Sequence, residues 1–312
     1  MTGPDKTDLS IAIKRKVHDL GFDMCGIASA KDLKENRDVL KSWCNAGMNG
    51  QMAYLSRNME KRSDPRLLFP GARSLVVTGM SYYRGIRQVK PGVPIISRYA
   101  YGANYHDVII KKLDCLLAFV KSLKKNAEGR SFVDSAPILE KAWAQEAGLG
   151  WQGKHSVIIN KKTGSFFFIG TLILNIELEY DKPSGKDFCG DCRLCIDACP
   201  TGAINENRTV DARRCLANLT IENREPVPAG FKSMMKKRVF GCDLCQEACP
   251  WNRTAPVDLH SEFDLPEEIA EMSADDWMSL TKEQFDRLFG RSSVGRVKYE
   301  NLMQNISLIM RS

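Results

Sequence analysis

The sequence predicts an α+β protein, and three observations predict it. Strands alternate with amphipathic helices over the first 180 residues, a cysteine-dense run of short loops follows, and apolar-faced helices close the chain. The divisions fall at 1–180, 181–256 and 257–312. At 312 residues, with 43% hydrophobic and 27% charged, the chain is long enough to bury a full core without disulfides.

The elements follow in order. Leu9, Ile13, Val17 and Leu20 recur at three- and four-residue steps before Gly21, giving an amphipathic helix from Asp8 to Leu20. Phe22 to Ala30 reads as a strand, and a second polar-apolar stretch ends near Trp43. The turn-rich Pro65 to Arg73 leads into a strand from Ser74 to Tyr83. Ile109, Leu113, Leu116, Val120 and Leu123 make Asp107 to Lys124 the clearest helix. Lys121, Lys124 and Lys125 lie at its end, where cations suit the helix dipole.

Ser131 to Val133 predicts a short strand, and Pro137 to Ala147 a helix stopped by Gly148. Ser156 to Asn160 and Ser165 to Leu174 predict a hairpin across Lys161-Lys162-Thr163-Gly164, and the whole first half predicts an α/β domain around a mixed sheet. No repeat of 20 to 50 residues is visible. Asp181-Lys182-Pro183-Ser184-Gly185 has the composition of a linker. Phe285, Leu288, Val294, Leu302, Ile306 and Ile309 supply two or three terminal helices, too few for an independent domain.

No apolar core follows Met-Thr-Gly-Pro-Asp-Lys, so no secretory leader is expected, and the most apolar run, Ser165 to Leu174, is shorter than the roughly 20 residues of a membrane span. A cytoplasmic protein is the expectation. The net charge of +7 permits an RNA or other polyanionic partner without requiring one.

Eleven cysteines in a reducing compartment point to metal or catalysis. Cys189, Cys192, Cys195 and Cys199-Pro200 stand at C-x2-C-x2-C-x3-C-P, the spacing by which three thiolates wrap one 4Fe-4S cubane and the fourth reaches a neighbouring one. Cys242, Cys245 and Cys249-Pro250 repeat the end of that motif, and Cys215 supplies the missing thiolate. Ferredoxin logic then assigns Cys189, Cys192, Cys195 and Cys249 to one cluster, and Cys199, Cys215, Cys242 and Cys245 to the other. Zinc is the alternative for any four-cysteine set, although crossed triplets followed by proline are foreign to zinc ribbons. Cys25, Cys44 and Cys115 lie outside both sets, and Cys115, on the strongest helix, reads as a small buried hydrophobe. Two clusters form a one-electron wire. The large preceding domain is the place for its destination.

Several motifs resemble those of the cobalamin-dependent epoxyqueuosine reductases, which act on the wobble base of certain tRNAs and are related to reductive dehalogenases. They are Arg98-Tyr99-Ala100-Tyr101-Gly102 with Tyr105-His106, Phe132-Val133-Asp134-Ser135-Ala136-Pro137, and Gly148-Leu149-Gly150-Trp151-Gln152-Gly153-Lys154-His155-Ser156. Val210-Asp211-Ala212-Arg213-Arg214-Cys215, Leu219-Thr220-Ile221-Glu222 and Gly241-Cys242-Asp243-Leu244-Cys245 through Cys249-Pro250-Trp251-Asn252 extend the resemblance over nearly the whole chain.

The resemblance implies that the first domain binds base-off cobalamin, that cluster electrons reduce its cobalt, and that a cyclopentane epoxide becomes an alkene with loss of water. It makes Asp134 the proton donor, with burial after an apolar strand expected to raise its pKa. The residue pattern alone equally allows Asp134 or Ser135 to N-cap the helix beginning near Pro137. His106 and Tyr105 assist proton delivery or hold substrate in this scheme. Arg57, Ser97, Arg98, Asp134, Lys154, His155, Ser156 and Thr220 are the candidate corrinoid contacts, the glycines beside Lys154 being explained as well by a tight turn.

For a tRNA partner the cations of choice are Lys232, Lys236, Lys237 and Arg238, and Arg291, Arg296 and Lys298, each also readable as a solvated helix face. The resemblance further implies an external low-potential electron donor, a monomer, and a tail holding only the first of the HEAT-like helices found in many relatives. Another corrinoid reductase, such as a reductive dehalogenase, and a non-catalytic electron carrier are the competing readings.

Overall fold

The computed structural model describes residues 5–84, 88, 90–257 and 260–310. The first four residues, on which the leader expectation partly rests, and the last two lie outside the described residues. Strands β1 (Met24–Ser29), β2 (Ser74–Ser81), β3 (Ile95–Ile96), β4 (Gly129–Phe132), β5 (Trp151–Gln152), β6 (Ile158–Ile159), β7 (Phe167–Leu174) and β8 (Arg238–Phe240) build three sheets. In the N-terminal half, helices α1 (Lys6–Asp19), α2 (Lys34–Asn45), α3 (Met59–Ser63), α4 (Pro65–Leu68), α5 (Tyr105–Leu123) and α6 (Glu140–Glu146) accompany them.

The main sheet runs β1-β2-β7-β4. Every residue of β2 is buried because the sheet is covered on both faces. Leu9, Ile13 and Val17 of α1 and Ile109, Leu113, Leu116 and Val120 of α5 pack with Val76, Met80, Leu172 and Leu174 on one side. Ala142, Trp143 and Ala144 of α6 pack with Leu75, Val77 and Ile173 on the other. Two-sided burial is what makes the β2 and β7 segments continuously apolar instead of alternating.

The α+β class holds, with three differences inside it. All three pairings of the main sheet are antiparallel, so it is not mixed, and the one parallel pair is the small β3–β8 ribbon. The expected hairpin across residues 161–164 is reduced to an Asn160–Gly164 bridge. β7 already has β2 on one edge and β4 on the other, so β6 pairs with β5 instead. Residues 65–68, read as turn, form α4, with Pro65 at its first position and the Asp64 carboxylate capping it. Helix α6 starts at Glu140, three residues past Pro137, and ends where Gly148 takes a φ of +77°.

Cys115 is exposed and not buried as the sequence suggested, because it sits on the side of α5 turned away from the sheet. The composition that reads as a linker at 181–185 is firmly tied. The Asp181 carboxylate accepts from the Ile27 N–H at 2.8 Å and from Lys14 Nζ at 2.6 Å, and its own N–H donates to the Ile27 carbonyl at 2.8 Å. Asp181→Ala leaves the Ile27 N–H without its acceptor and is expected to cost about 1–3 kcal/mol. Urea unfolding would show it as a lower midpoint at unchanged slope.

Helices α7 (Leu194–Asp197), α8 (Leu216–Ile221) and α9 (Leu244–Glu247) belong to the cysteine segment, and α10 (Glu267–Glu271), α11 (Ala274–Met278), α12 (Lys282–Phe289) and α13 (Tyr299–Met310) to the tail. The tail shares one core with its neighbours. Trp277, Phe289, Leu302 and Ile306 pack with Ile96, Tyr101, Val239 and Phe240, and Asn305 donates to the Val239 and Thr220 carbonyls. Among the described residues no helix is long and apolar enough to cross a membrane.

Candidate active site and cysteine centre

β4 delivers the chain to Val133, which is buried, and then to Asp134, whose φ of +50° is left-handed. The Asp134 carboxylate accepts from the Tyr105 hydroxyl at 2.7 Å and lies 3.3 Å from His106 Nε2. Both partners open α5, capped by Asn104, and the Tyr105 ring is fixed by stacking on Phe168 at 4.3 Å. The capping alternative fails. Helix α6 has Leu139 at its N-cap with no side-chain cap, and the Asp134 carboxylate points to α5 instead.

The expected upward shift at Asp134 is reversed. The hydrogen bond from His106 is the largest influence; burial pushes the other way, and Tyr105 and the charge of Arg296 add to His106, leaving the carboxyl below its ordinary value. Burial and the Asp134 charge push the Tyr105 phenol far up, so it remains a donor. Glu140, which accepts the Asp134 N–H at 2.5 Å, is pushed up to about 8 by burial and by Asp134.

Three residues not assigned to the reaction centre by the sequence face the same space. Arg296, placed among the RNA cations, pairs with Glu222 at 2.6 Å, bonds Tyr54, and is close enough for its charge to act on Asp134 and Tyr99. The N-terminal half, the cysteine segment and the tail each contribute one of them. Glu222 ends a motif that the sequence displays, but neither spacing nor periodicity gives Tyr54 or Arg296 a signal. Among the other cations Arg238 is spent on Glu247 at 3.2 Å, and the Arg291 carbonyl accepts the Asn104 N–H at the start of α5.

Between β5 and β6 the chain makes a tight turn, with the Ser156 N–H donating to the Gly153 carbonyl and Ser156 at a φ of +66°. His155 is 3% exposed, and its Nδ1 accepts the Val157 N–H at 3.2 Å. Burial, helped by the charge of Lys141, lowers it to about 4, so the ring is neutral with its hydrogen on Nε2. That N–H is buried without a protein acceptor. Lys154 is half-buried beside it, and the Ser156 carbonyl accepts from Lys141.

Of the remaining corrinoid candidates, Ser97 and Thr220 have their side-chain bonds within the protein, while Arg98 donates to the Arg84 carbonyl and leaves its buried Nε without a partner. Ser97 Oγ donates to Asp243 at 2.6 Å and Arg98 donates its backbone N–H to the same carboxylate at 2.8 Å. Thr220 Oγ1 accepts the Gly241 N–H at 2.9 Å and donates to the Leu216 carbonyl. They brace the 241–247 loop, and a Cβ on Gly241 would lie 2.6 Å from Ser97. Arg57 is exposed on the turn after Tyr54.

The cysteines gather as their spacing requires. The Cys249 thiol feels the charges of Cys189, Cys195 and Cys192, while Cys215 feels Cys199, and Cys245 feels Cys242 and Cys215. Trp151 Nε1–H donates to Cys189 Sγ at 3.5 Å. Burial works against the Cys199 thiolate, but the Thr201 hydroxyl and the Ala203 N–H outweigh it. Burial pushes Cys242 and Cys249 up to about 11, so loading with metal must displace their protons. Eight soft donors in one short segment, with N–H groups aimed at sulfur, fit iron–sulfur ligation.

An iron–sulfur oxidoreductase is the class that the cysteine segment beside the antiparallel α+β half defines. Residues 188–252 match the 4Fe-4S double cluster binding domain, and residues 62–135 match the family described as epoxyqueuosine reductase QueG, DUF1730. An epoxyqueuosine reductase of Cyclobacterium marinum is 44% identical over 299 residues, covering 95% of both chains. A crystal structure of epoxyqueuosine reductase with an epoxyqueuosine-modified tRNA-Tyr stem loop superposes with a TM-score of 0.88 at 31% identity, over 96% of this chain and 80% of that one. The chain belongs to the epoxyqueuosine reductase family. The catabolic reductive dehalogenase NpRdhA, at 16% identity and a TM-score of 0.52 over 87% of this chain and 36% of its own, shares the fold alone.

Proposed function

We propose that this chain reduces epoxyqueuosine in tRNA to queuosine, taking up two electrons and two protons while the epoxide oxygen leaves as water. The observation that carries the reading is the Asp134 carboxylate, held by Tyr105 and His106 and within reach of the Arg296 charge, in a member of this family.

Cys189, Cys192, Cys195 and Cys249 hold one cluster, and Cys199, Cys215, Cys242 and Cys245 the other. Cobalamin, when bound, supplies the low-potential cobalt centre through which electrons reach the epoxide carbon. The residues around Asp134 fit such a group. The buried His155 Nε2–H is an unfilled donor suited to a carboxamide of the corrin rim, with Lys154 next to it in the chain. Ser97, Arg98 and Thr220 act one step back, holding the second cluster loop.

Asp134 rests as a carboxylate. Exclusion of water when the substrate binds would raise its affinity for a proton, which Asp134 then donates to the leaving oxygen. Tyr105 and His106 hold the carboxylate in place for that transfer. Arg296 and Glu222 present paired charge where a polar nucleoside enters. The tRNA stem loop is the partner, and an external low-potential carrier supplies electrons to a monomer.

The test is conversion in tRNA. Anaerobic, cluster-replete protein given cobalamin, a strong reductant and epoxyqueuosine-containing tRNA is expected to yield queuosine by nucleoside mass spectrometry. Absence of conversion by a fully loaded sample would reject the reading.

A further inference from the structure

We infer that Glu140 is a positioning residue that latches the Asp134 backbone, fixing the direction in which the Asp134 carboxylate faces Tyr105 and His106. The inference deepens the reading above and rests on it for the role of Asp134.

The geometry begins with an awkward segment. Asp134 occupies left-handed backbone, which an L residue with a Cβ adopts at a cost and leaves unless something holds it. Asp134 and Ser135 are both exposed between the buried Val133 and Ile138, and the small Ala136 packs against the core without holding either of them. Bonds within the segment, Ser135 N–H to the Val133 carbonyl and Ile138 N–H to the Ala136 carbonyl, leave the Asp134 N–H unused. Glu140 Oε1 accepts it at 2.5 Å.

Glu140 stands on a firm base. It is the first residue of α6, whose Ala142, Trp143 and Ala144 are buried in the core against β2 and β7. The helix has no side-chain cap at Leu139, and the side chain that reaches back from its first turn belongs to Glu140. Tyr105 and His106 therefore hold the carboxylate end of Asp134 from α5, while Glu140 holds its backbone from α6. Three contacts from two elements fix a direction that either element alone would leave free to swing.

The charge balance suits the role. Asp134 and Lys141 are the charged groups that act on Glu140, with the Tyr105 phenol facing it from α5. Burial and the Asp134 charge keep Glu140 protonated at neutral pH, so its carbonyl oxygen accepts the N–H without setting a second negative charge beside Asp134. A neutral amide would serve equally. Glu140→Gln thus separates a latch from a proton donor.

Cluster-loaded wild type, Glu140→Ala and Glu140→Gln are compared by amide hydrogen exchange and by turnover. Exchange of the peptide spanning 133–139 is expected to rise about tenfold in Glu140→Ala and to stay near wild type in Glu140→Gln. Turnover of epoxyqueuosine tRNA is expected to fall about 10–100-fold in Glu140→Ala at unchanged KM, and to recover in Glu140→Gln. Unchanged exchange in Glu140→Ala would overturn the latch. So would a Glu140→Gln variant with wild-type exchange and the turnover of Glu140→Ala, since Glu140 would then be a proton donor. If Glu140→Ala does not fold, Glu140→Asp, one methylene too short to reach, replaces it under the same two criteria. The exchange arm needs no substrate, so it reads the latch even if the wild type converts no epoxyqueuosine.

Discussion

Asp134→Asn is expected to lower epoxyqueuosine conversion by about 10²–10⁴-fold while iron content and corrinoid uptake stay at wild-type levels. The amide keeps the size of the carboxylate and can still accept from the Tyr105 hydroxyl, but it cannot carry the proton that the departing oxygen needs. The Tyr105 hydroxyl itself is a poor substitute. Burial and the neighbouring carboxylate push its pKa far above the usual phenol value, which makes it a fixed hydrogen-bond donor and not a proton source. Quenched single-turnover samples analysed by nucleoside mass spectrometry give the rate, and iron and corrinoid assays on the same samples show that the site is otherwise loaded. Full activity in Asp134→Asn would move the proton donor elsewhere, with His106, 3.3 Å away, the next residue to replace.

Cys199→Ala carries the second large effect. Cys199 lies in the first cysteine motif, yet its thiol is beside Cys215 and not among the Cys189, Cys192, Cys195 and Cys249 group. Its loss is expected to lower iron from about eight to about four per chain and to abolish conversion. The signal of the cluster held by Cys189, Cys192, Cys195 and Cys249 is expected to survive in electron paramagnetic resonance. Cys249→Ala is the mirror case, removing the cluster that the first motif dominates. The pair tests the crossing. If Cys199→Ala instead destroyed the signal that Cys192→Ala destroys, the motifs would be uncrossed.

Much of this was legible in the residues because the strongest signals are local. Cysteine spacing is a distance along the chain, and the match of residues 188–252 to the 4Fe-4S double cluster binding domain agrees with it. Likewise α1 and α5 lie within a residue or two of where the helical period puts them, and β2 and β7 are continuous apolar runs because helices cover both faces. What failed depended on three-dimensional competition. The Asn160–Gly164 turn looks like a hairpin, but β7 has no free edge, which no local pattern records.

The site shows the same division. Asp134 could be found from its motif, but the sign of its pKa shift could not, because it depends on His106 standing 3.3 Å away across a helix start. Arg296 and Tyr54 are 242 positions apart, from 296 − 54, and meet only because the tail packs onto the residues before α5. The sequence singles out Ser97 and Thr220 without showing what their hydroxyls bond. Their hydroxyls serve the loop that carries Cys242 and Cys245, and the sequence cannot show which side of that loop a hydroxyl faces. Cys115 was misread because helical periodicity places the apolar face but does not say how wide it is.

The central claim is that electrons from two cubanes are delivered to a corrinoid lodged beside Asp134. Oxygen-free protein incubated with cobalamin, freed of excess ligand and assayed for iron and corrinoid by acid extraction tests it most directly. The expected result is one corrinoid per chain alongside about eight irons. A full iron complement that never retains a corrinoid would contradict the account.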